Sequence, residues 1–102
     1  MIKNVAIIDY GLGNILSAQQ SFLKVANDNN IKANVMITNQ PRKIAESTHI
    51  VLPGQGAFET CMKGLSSIPY MISELTKSVI KNKTPFLGIC VGMQLLANTS
   101  YE

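Results

Sequence analysis

Short apolar runs alternate along the chain with longer stretches in which apolar residues recur every third or fourth position. A run that is apolar throughout predicts a strand covered on both faces, and the longer spacing predicts an amphipathic helix. The predicted strands lie within residues 3–10, 33–37, 49–52 and 85–89. The predicted helices cover residues 14–29, 41–47 and 57–65, followed by a longer helix capped by Ser66 or Ser67 with Pro69 near its start.

The predicted strands and helices alternate, with connections long enough for right-handed crossovers. This order is typical of an α/β protein with a doubly wound, mostly parallel sheet and flanking helices. The length of 102 residues allows one small domain, and a hydrophobic content of 46% suits a globular core. The first helix is expected to turn its apolar side chains to the sheet and its polar ones to solvent; the two sets are Ile15, Ala18, Phe22 and Val25, and Ser17, Gln20, Ser21, Lys24 and Asp28.

Charge and cysteine usage exclude several classes of function. The net charge is only +3, and the lysines are scattered without interleaved aromatic residues, so no nucleic-acid surface is predicted. No apolar run reaches the roughly 18–20 residues that a membrane span needs. The two cysteines lack a metal-like spacing, and no export signal is evident. We therefore expect a cytoplasmic protein without metal or cofactor, in which Cys61 is a packed helix residue.

The last predicted strand runs into the sequence Gly88-Ile89-Cys90-Val91-Gly92. Glycines two positions before and after a nucleophile are typical of a nucleophile elbow, here with cysteine in place of serine. A helix starting after Cys90 would favour the thiolate, and the N–H of Val91 would be one oxyanion donor. The pattern also fits a small buried cysteine between packing glycines, and by itself leaves both interpretations open.

Two other turns follow predicted strands, at the sheet edge where parallel sheets bind ligands. Residues 53–56 could form a simple turn, or could bring a bare backbone N–H to a ligand; beside a cysteine nucleophile, Gly54 or Gln55 would then supply the second oxyanion donor. Residues 9–14 are rich in glycine, but Leu16 stands where a dinucleotide fingerprint requires glycine. That loop is therefore either a tight turn or a functional loop of another kind.

A cysteine nucleophile in acyl transfer also needs a base, usually a histidine oriented by a carboxylate. The chain has one histidine, His49, at the amino end of its predicted strand. At about 3.3 Å per residue, this position lies on the order of 10 Å from the edge that carries Cys90. We predict that His49 is structural and that these 102 residues contain no catalytic base.

Together these motifs resemble the class I, triad-type glutamine amidotransferases, over the whole chain. The broad class is carried by residues 88–94, Gly-Ile-Cys-Val-Gly-Met-Gln, and by the Pro-Gly-x-Gly loop at 53–56. Residues 9–14, Asp-Tyr-Gly-Leu-Gly-Asn, with Ser17 and residues 52–58, Leu-Pro-Gly-Gln-Gly-Ala-Phe, are more narrowly similar to the HisH family, the amidotransferase subunits of imidazole glycerol phosphate synthase. The resemblance implies a flavodoxin-like amidotransferase fold.

The resemblance also implies a reaction and a partner. Cys90 would attack the side-chain amide of glutamine, form a thioester and release ammonia, while Gly56 and Gln94 match positions that hold the glutamine. The ammonia would pass to a cyclase subunit that makes imidazole glycerol phosphate and an aminoimidazole nucleotide. The side facing this partner would be the loop formed by Tyr10, Gly11, Gly13 and Asn14.

Two features depart from the family pattern. The third position of the 53–56 loop is commonly valine and is Gln55 here, which matters little if the donor is a backbone N–H. The family's His-x-Glu pair lies downstream of the elbow, and the strand before Cys90 would be left without a neighbour on its other side. We therefore interpret residues 1–102 as the N-terminal part of a single amidotransferase domain whose C-terminal part is absent.

Other interpretations stay open. An amidotransferase for aminodeoxychorismate or anthranilate is disfavoured by the turn at residues 9–14, whereas one for surface-sugar amidation is not. A stress or redox sensor of similar fold would have an oxidisable Cys90 that glutamine analogues do not label. A naturally short, inert binding protein is the third possibility.

Because no base accompanies Cys90, residues 1–102 on their own should not hydrolyse glutamine. The measurement is ammonia release from glutamine by the purified 102-residue chain, compared with buffer. Ammonia released above the buffer rate would show that a base other than histidine activates the cysteine.

Overall fold

The computed structural model describes residues 2–11 and 14–89. The strands and helices are β1 (Lys3–Ile8), α1 (Ile15–Asp28), β2 (Ala33–Thr38), α2 (Pro41–Glu46), β3 (His49–Leu52), α3 (Phe58–Ser66), α4 (Met71–Thr76), a π-helical turn (Lys77–Lys81) that continues α4, and β4 (Phe86–Gly88). Every predicted strand is present, and its bounds differ from the prediction by a few residues at most.

The four strands form one parallel sheet in the order β2-β1-β3-β4. At its centre, Ile7 of β1 is paired with Ile37 of β2 on one side and with Val51 of β3 on the other. All three are β-branched residues, which suit a parallel sheet covered on both faces.

Helices cover the two faces unequally. The face covered by α2, α3 and α4 carries the larger core, whose buried members are Ala6, Ile8, Tyr10, Ile44, Ile50, Leu52, Cys61, Leu65, Met71 and Leu75. The opposite face is covered by α1, and its core has three buried residues, Val5, Ile7 and Val51. Helices on both faces confirm the predicted doubly wound α/β fold, and the complete burial of Cys61 confirms that it is a packed helix residue.

Helix α1 departs from its predicted packing at one end. Ile15, Ala18 and Phe22 pack against the smaller core as expected, but Val25 is 58% exposed. Beyond Phe22 the helix borders an open apolar groove of about 300 Å³, which Leu87 of β4 also lines. Val25 therefore lines this groove, and no described residue covers it.

The predicted cap of the long fourth helix is wrong. Ser67 ends α3 instead, because its Oγ and its N–H both bond to the carbonyl of Gly64, at 2.6 and 3.3 Å. Pro69 lies in the turn that follows, and Tyr70 occupies the position before α4 with a left-handed φ of 66°. The amphipathic face itself is as predicted, since Met71 and Leu75 are buried.

None of the helices within residues 2–11 and 14–89 has the length and apolar character required to cross a membrane.

Truncation of a side chain in the larger core should be strongly destabilising. Leu52 is 0% exposed at the end of β3, so Leu52→Ala should lower the free energy of unfolding by about 2–5 kcal/mol. Leu16→Ala removes the same atoms from an exposed position of α1 and should change it by no more than about 0.5 kcal/mol. Urea unfolding followed by circular dichroism measures both, and equal losses would contradict this assignment of the core.

Candidate active site

The carboxyl ends of β1 and β3 lie side by side where the strand order changes direction. The chain leaves β1 toward β2 on one side, while β3 and β4 lie on the other. In open parallel sheets the crevice at such a switch point is where ligands bind. An open cleft of about 360 Å³ occupies this place, and its lining residues are Asn14, Ser17, Ala18, Ser21, Pro53, Gly54, Gln55 and Ile89.

The loop after β1 leads into the first wall of the cleft. Asp9 Oδ1 accepts a hydrogen bond from the N–H of Gly11 at 3.1 Å, and Gly11 has a φ of 89°, which favours glycine. Asn14 stands at the N-cap of α1, where its carbonyl accepts from the N–H of Ala18 at 3.1 Å. Its side chain makes no capping hydrogen bond and lines the cleft.

The loop after β3 forms the opposite wall. Pro53 and Gly54 are buried, whereas Gln55 and Gly56 are exposed. Among residues 2–11 and 14–89, nothing accepts a hydrogen bond from the N–H of Gly54 or of Gln55. Both predicted oxyanion donors therefore lie at the cleft, and neither bonds to an acceptor within the described residues. An oxyanion donor must be free in this way to bind the charged oxygen.

Two side chains of the larger core donate hydrogen bonds to carbonyls of this loop. The hydroxyl of Tyr10 donates to the carbonyl of Pro53, and the Sγ of Cys61 donates to the carbonyl of Gln55 at 3.3 Å. Burial raises the pKa of the Tyr10 phenol above its usual range, and the neighbouring Cys61 thiol raises it further. The phenol is thus protonated, and able to donate, throughout the physiological range.

This burial corrects one part of the predicted partner surface. Tyr10 is 7% exposed, so its side chain is not available to a second protein. The ring belongs to the larger core together with Ala6 and Ile8 of β1, because the alternation of that strand continues to Tyr10, two residues after its end. Gly11 and Asn14 are exposed beside it.

The nucleophile predicted from sequence lies outside the described residues, as do Val91, Gln94 and Gly13. The structure describes the chain up to Ile89, which precedes Cys90 and lines the cleft. The N–H of Ile89 donates to the carbonyl of Leu52 at 3.0 Å. This bond brings β4 and the loop that begins at Pro53 to the same edge of the sheet.

His49 lies where the sequence predicted it, at the other end of the sheet. It is the first residue of β3 and pairs with Val5. Its Nδ1 is 2.9 Å from Oγ1 of Thr48. The cleft lies beyond the last residue of that strand, so His49 is not positioned to serve as its base.

Two cleft residues were missed by the sequence interpretation. Ser17 and Ser21 are exposed, as predicted for the polar side of α1, and both also line the cleft with Asn14. The signal was present, because positions 14, 17 and 21 fall on one stripe of a helix. Only the position of the loop after β3 shows that this polar stripe faces a second wall. No group of three His, Cys, Asp or Glu side chains in residues 2–11 and 14–89 is arranged to hold a metal ion.

The geometry of the second wall depends on the backbone of Gly56, whose φ is 86°. A Cβ at this position would meet nothing within 4 Å, so the strain of a substitution is conformational and not steric. Gly56→Ala should lower the free energy of unfolding by about 1–2 kcal/mol. Gly56→Asn should lower it by less, because asparagine tolerates the left-handed region better. Urea denaturation measures both; an alanine variant as stable as the wild type would show that the loop does not need this φ.

The chain matches one family model and is similar to several curated proteins. The family model described as "Glutamine amidotransferase class-I" matches residues 6–101. The chain is similar to the imidazole glycerol phosphate synthase subunit HisH of Brucella suis biovar 1 (strain 1330), with 45% identity over 98 residues, which are 96% of this chain and 45% of the relative. Identity is 46% over 98 residues for HisH of Agrobacterium fabrum (strain C58), covering 96% of this chain and 45% of the relative. It is 44% over 99 residues for HisH of Pelagibacter ubique (strain HTCC1062), covering 97% and 46%.

The chain thus spans about 45% of the length of these curated relatives while nearly all of it is aligned. The family match covers both walls of the cleft. It also covers all four strands except for the first three residues of β1. This chain belongs to the class-I glutamine amidotransferase family.

Proposed function

We propose that residues 1–102 are the N-terminal part of a single amidotransferase domain, acting as the glutamine-hydrolysing subunit of imidazole glycerol phosphate synthase in histidine biosynthesis. The similarity to HisH subunits supports the pathway. The observation that carries the chemistry is the cleft, where two backbone N–H groups without an acceptor among the described residues lie beside Ile89, the residue before Cys90.

In the proposed reaction the Cys90 thiolate attacks the side-chain amide carbon of glutamine. The new C–S bond pushes an electron pair onto the amide oxygen, and the N–H of Val91 together with that of Gly54 or Gln55 stabilises the resulting oxyanion. Collapse of this intermediate breaks the C–N bond, and the nitrogen takes up a proton and leaves as ammonia. Water then hydrolyses the thioester to glutamate, which restores the thiol.

The proton transfers need a base and an acid, and His49, the one histidine of the sequence, lies at the opposite end of β3 from the cleft. We propose that a downstream His-x-Glu pair performs them, as the family resemblance implies. Gly56 and Gln94 would hold the substrate. The polar wall formed by Asn14, Ser17 and Ser21 gives the cleft groups that can bind the α-amino and α-carboxylate ends of glutamine.

The ammonia would be used by a partner, the cyclase subunit, in the cytoplasm. We place the contact with this partner at the loop containing Gly11, Gly13 and Asn14, since Gly11 and Asn14 are exposed at the rim of the sheet. Tyr10 begins this loop, with its side chain buried in the larger core.

Removal of the thiol separates the two halves of this activity. In the full-length subunit with its cyclase partner, Cys90→Ala should lower glutamine-dependent synthesis by roughly 10³-fold or more, because no acyl intermediate can form. Synthesis from added ammonium should stay at the wild-type rate, since the partner uses free ammonia. Product formation measured with each nitrogen source provides its own control, and loss of both activities would mean that Cys90 is structural.

Translation of the gene beyond codon 102 is a second, independent check. A His-x-Glu pair in frame supports the amidotransferase assignment. A stop codon there would overturn it in favour of a short binding protein.

A further inference from the structure

The loop after β3 is held by two side chains, one from the motif at residues 9–14 and one from α3. We propose that Tyr10 and Cys61 are a pair of positioning residues that fix the oxyanion loop, acting through the carbonyls of Pro53 and Gln55. The catalytic consequence of this inference rests on the proposed function. The two hydrogen bonds themselves, which we call the brace, can be tested without any substrate.

The two hydrogen bonds fix alternate peptide planes of the loop. Tyr10 holds the carbonyl of Pro53, and Cys61 holds the carbonyl of Gln55 at 3.3 Å. The described chain has no cis peptide bonds, and in a planar trans peptide the following N–H points opposite to the carbonyl. The N–H of Gly54, one of the two predicted oxyanion donors, therefore points away from Tyr10. The N–H of Gln55, the other predicted donor, belongs to the peptide between the two held planes, so the bonds from Tyr10 and Cys61 hold that peptide at both ends.

The brace and the cleft lie on opposite sides of the loop. Tyr10 and Cys61 belong to the larger core, on the face covered by α2, α3 and α4. The cleft lies on the other side, against α1, and is lined by Pro53, Gly54 and Gln55. Because the Pro53 carbonyl is drawn toward the core, the N–H of Gly54 lies on the side of the loop that faces the cleft.

Both braces are rigid because their side chains are locked by packing. Cys61 is 0% exposed on α3, and the Tyr10 ring is buried in the same core. The raised pKa of the Tyr10 phenol keeps its proton in place. The buried carbonyl of Pro53 would lose its hydrogen-bond donor without this hydroxyl, and such a group costs about 1–3 kcal/mol when left unpaired. The loop is therefore expected to move when the hydroxyl is removed.

The decisive variant is Tyr10→Phe, which deletes one oxygen and keeps the ring that packs in the core. An oxyanion donor stabilises the transition state more than bound glutamine, so its misplacement should lower kcat and leave KM nearly unchanged. In the full-length enzyme with its partner we expect the glutaminase kcat to fall about 10- to 100-fold, with KM changed less than about threefold and ammonia-dependent synthesis unaffected. Tyr70→Phe removes the same atom from a side chain that is 82% exposed and should match the wild type.

Cys61 allows a test by conservative replacement. Cys61→Ser keeps a donor of similar size near the Gln55 carbonyl and should retain kcat within about threefold, whereas Cys61→Ala removes the donor and should lower it about tenfold. Equal effects of the two substitutions would mean that the thiol acts through packing alone and would overturn its part in the brace.

Nuclear magnetic resonance of the ¹⁵N- and ¹³C-labelled full-length subunit gives a readout that needs no activity. The amide shifts of Gly54 and Gln55 and the carbonyl shift of Pro53 should change in Tyr10→Phe and remain at wild-type values in Tyr70→Phe. Unchanged shifts, or a Tyr10→Phe enzyme with wild-type kcat, would overturn the proposal. If the wild-type enzyme does not hydrolyse glutamine, the proposed function fails, and the shifts alone decide whether the brace exists.

Discussion

The pairing of β1 with β3 is the contact on which the site depends. These strands are far apart in sequence, yet Ile7 and Val51 lie opposite each other at the centre of the sheet, nearly or fully buried. This register brings the loops after both strands to one edge, where Tyr10 reaches Pro53. A slip of one residue would turn the buried side chains of β3 to the wrong face, so the hydrophobic core and the cleft share one register.

The two faces of the sheet have different roles in this arrangement. The larger core is closed by α2, α3 and α4 and contains Tyr10 and Cys61, which bond to the proposed oxyanion loop. The α1 side carries the cleft at the carboxyl edge of the sheet and the apolar groove at the amino edge. The cleft is lined by the side chains of Asn14, Ser17 and Ser21 and by Gly54 and Gln55, whose N–H groups have no acceptor among residues 2–11 and 14–89, and we therefore place the candidate chemistry there.

The architecture could be read from the sequence because buried parallel strands are apolar throughout and their turns carry Gly, Pro, Asp and Asn. The edge that carries the candidate site followed from the same reasoning. The helix boundary at Ser67 could not be predicted, since serine caps either end of a helix and the choice depends on the nearby Gly64 carbonyl. The burial of Tyr10 and the bond from Cys61 to Gln55 were also hidden, because an amphipathic side chain gives no sign of which partner it meets across the fold.

The residues that line the cleft are synthesised in a fixed order, because its walls follow one another along the chain. The first wall comes from residues 14–21, the second from residues 53–55, and the last lining residue described is Ile89. During synthesis the amino-terminal residues emerge first, at about 5–20 residues per second. Translation of β1, β3, Tyr10 and Cys61 therefore precedes translation of Cys90. The proposed nucleophile is thus added to a nascent chain that already contains the residues of the proposed oxyanion loop and the two side chains, Tyr10 and Cys61, that bond to it.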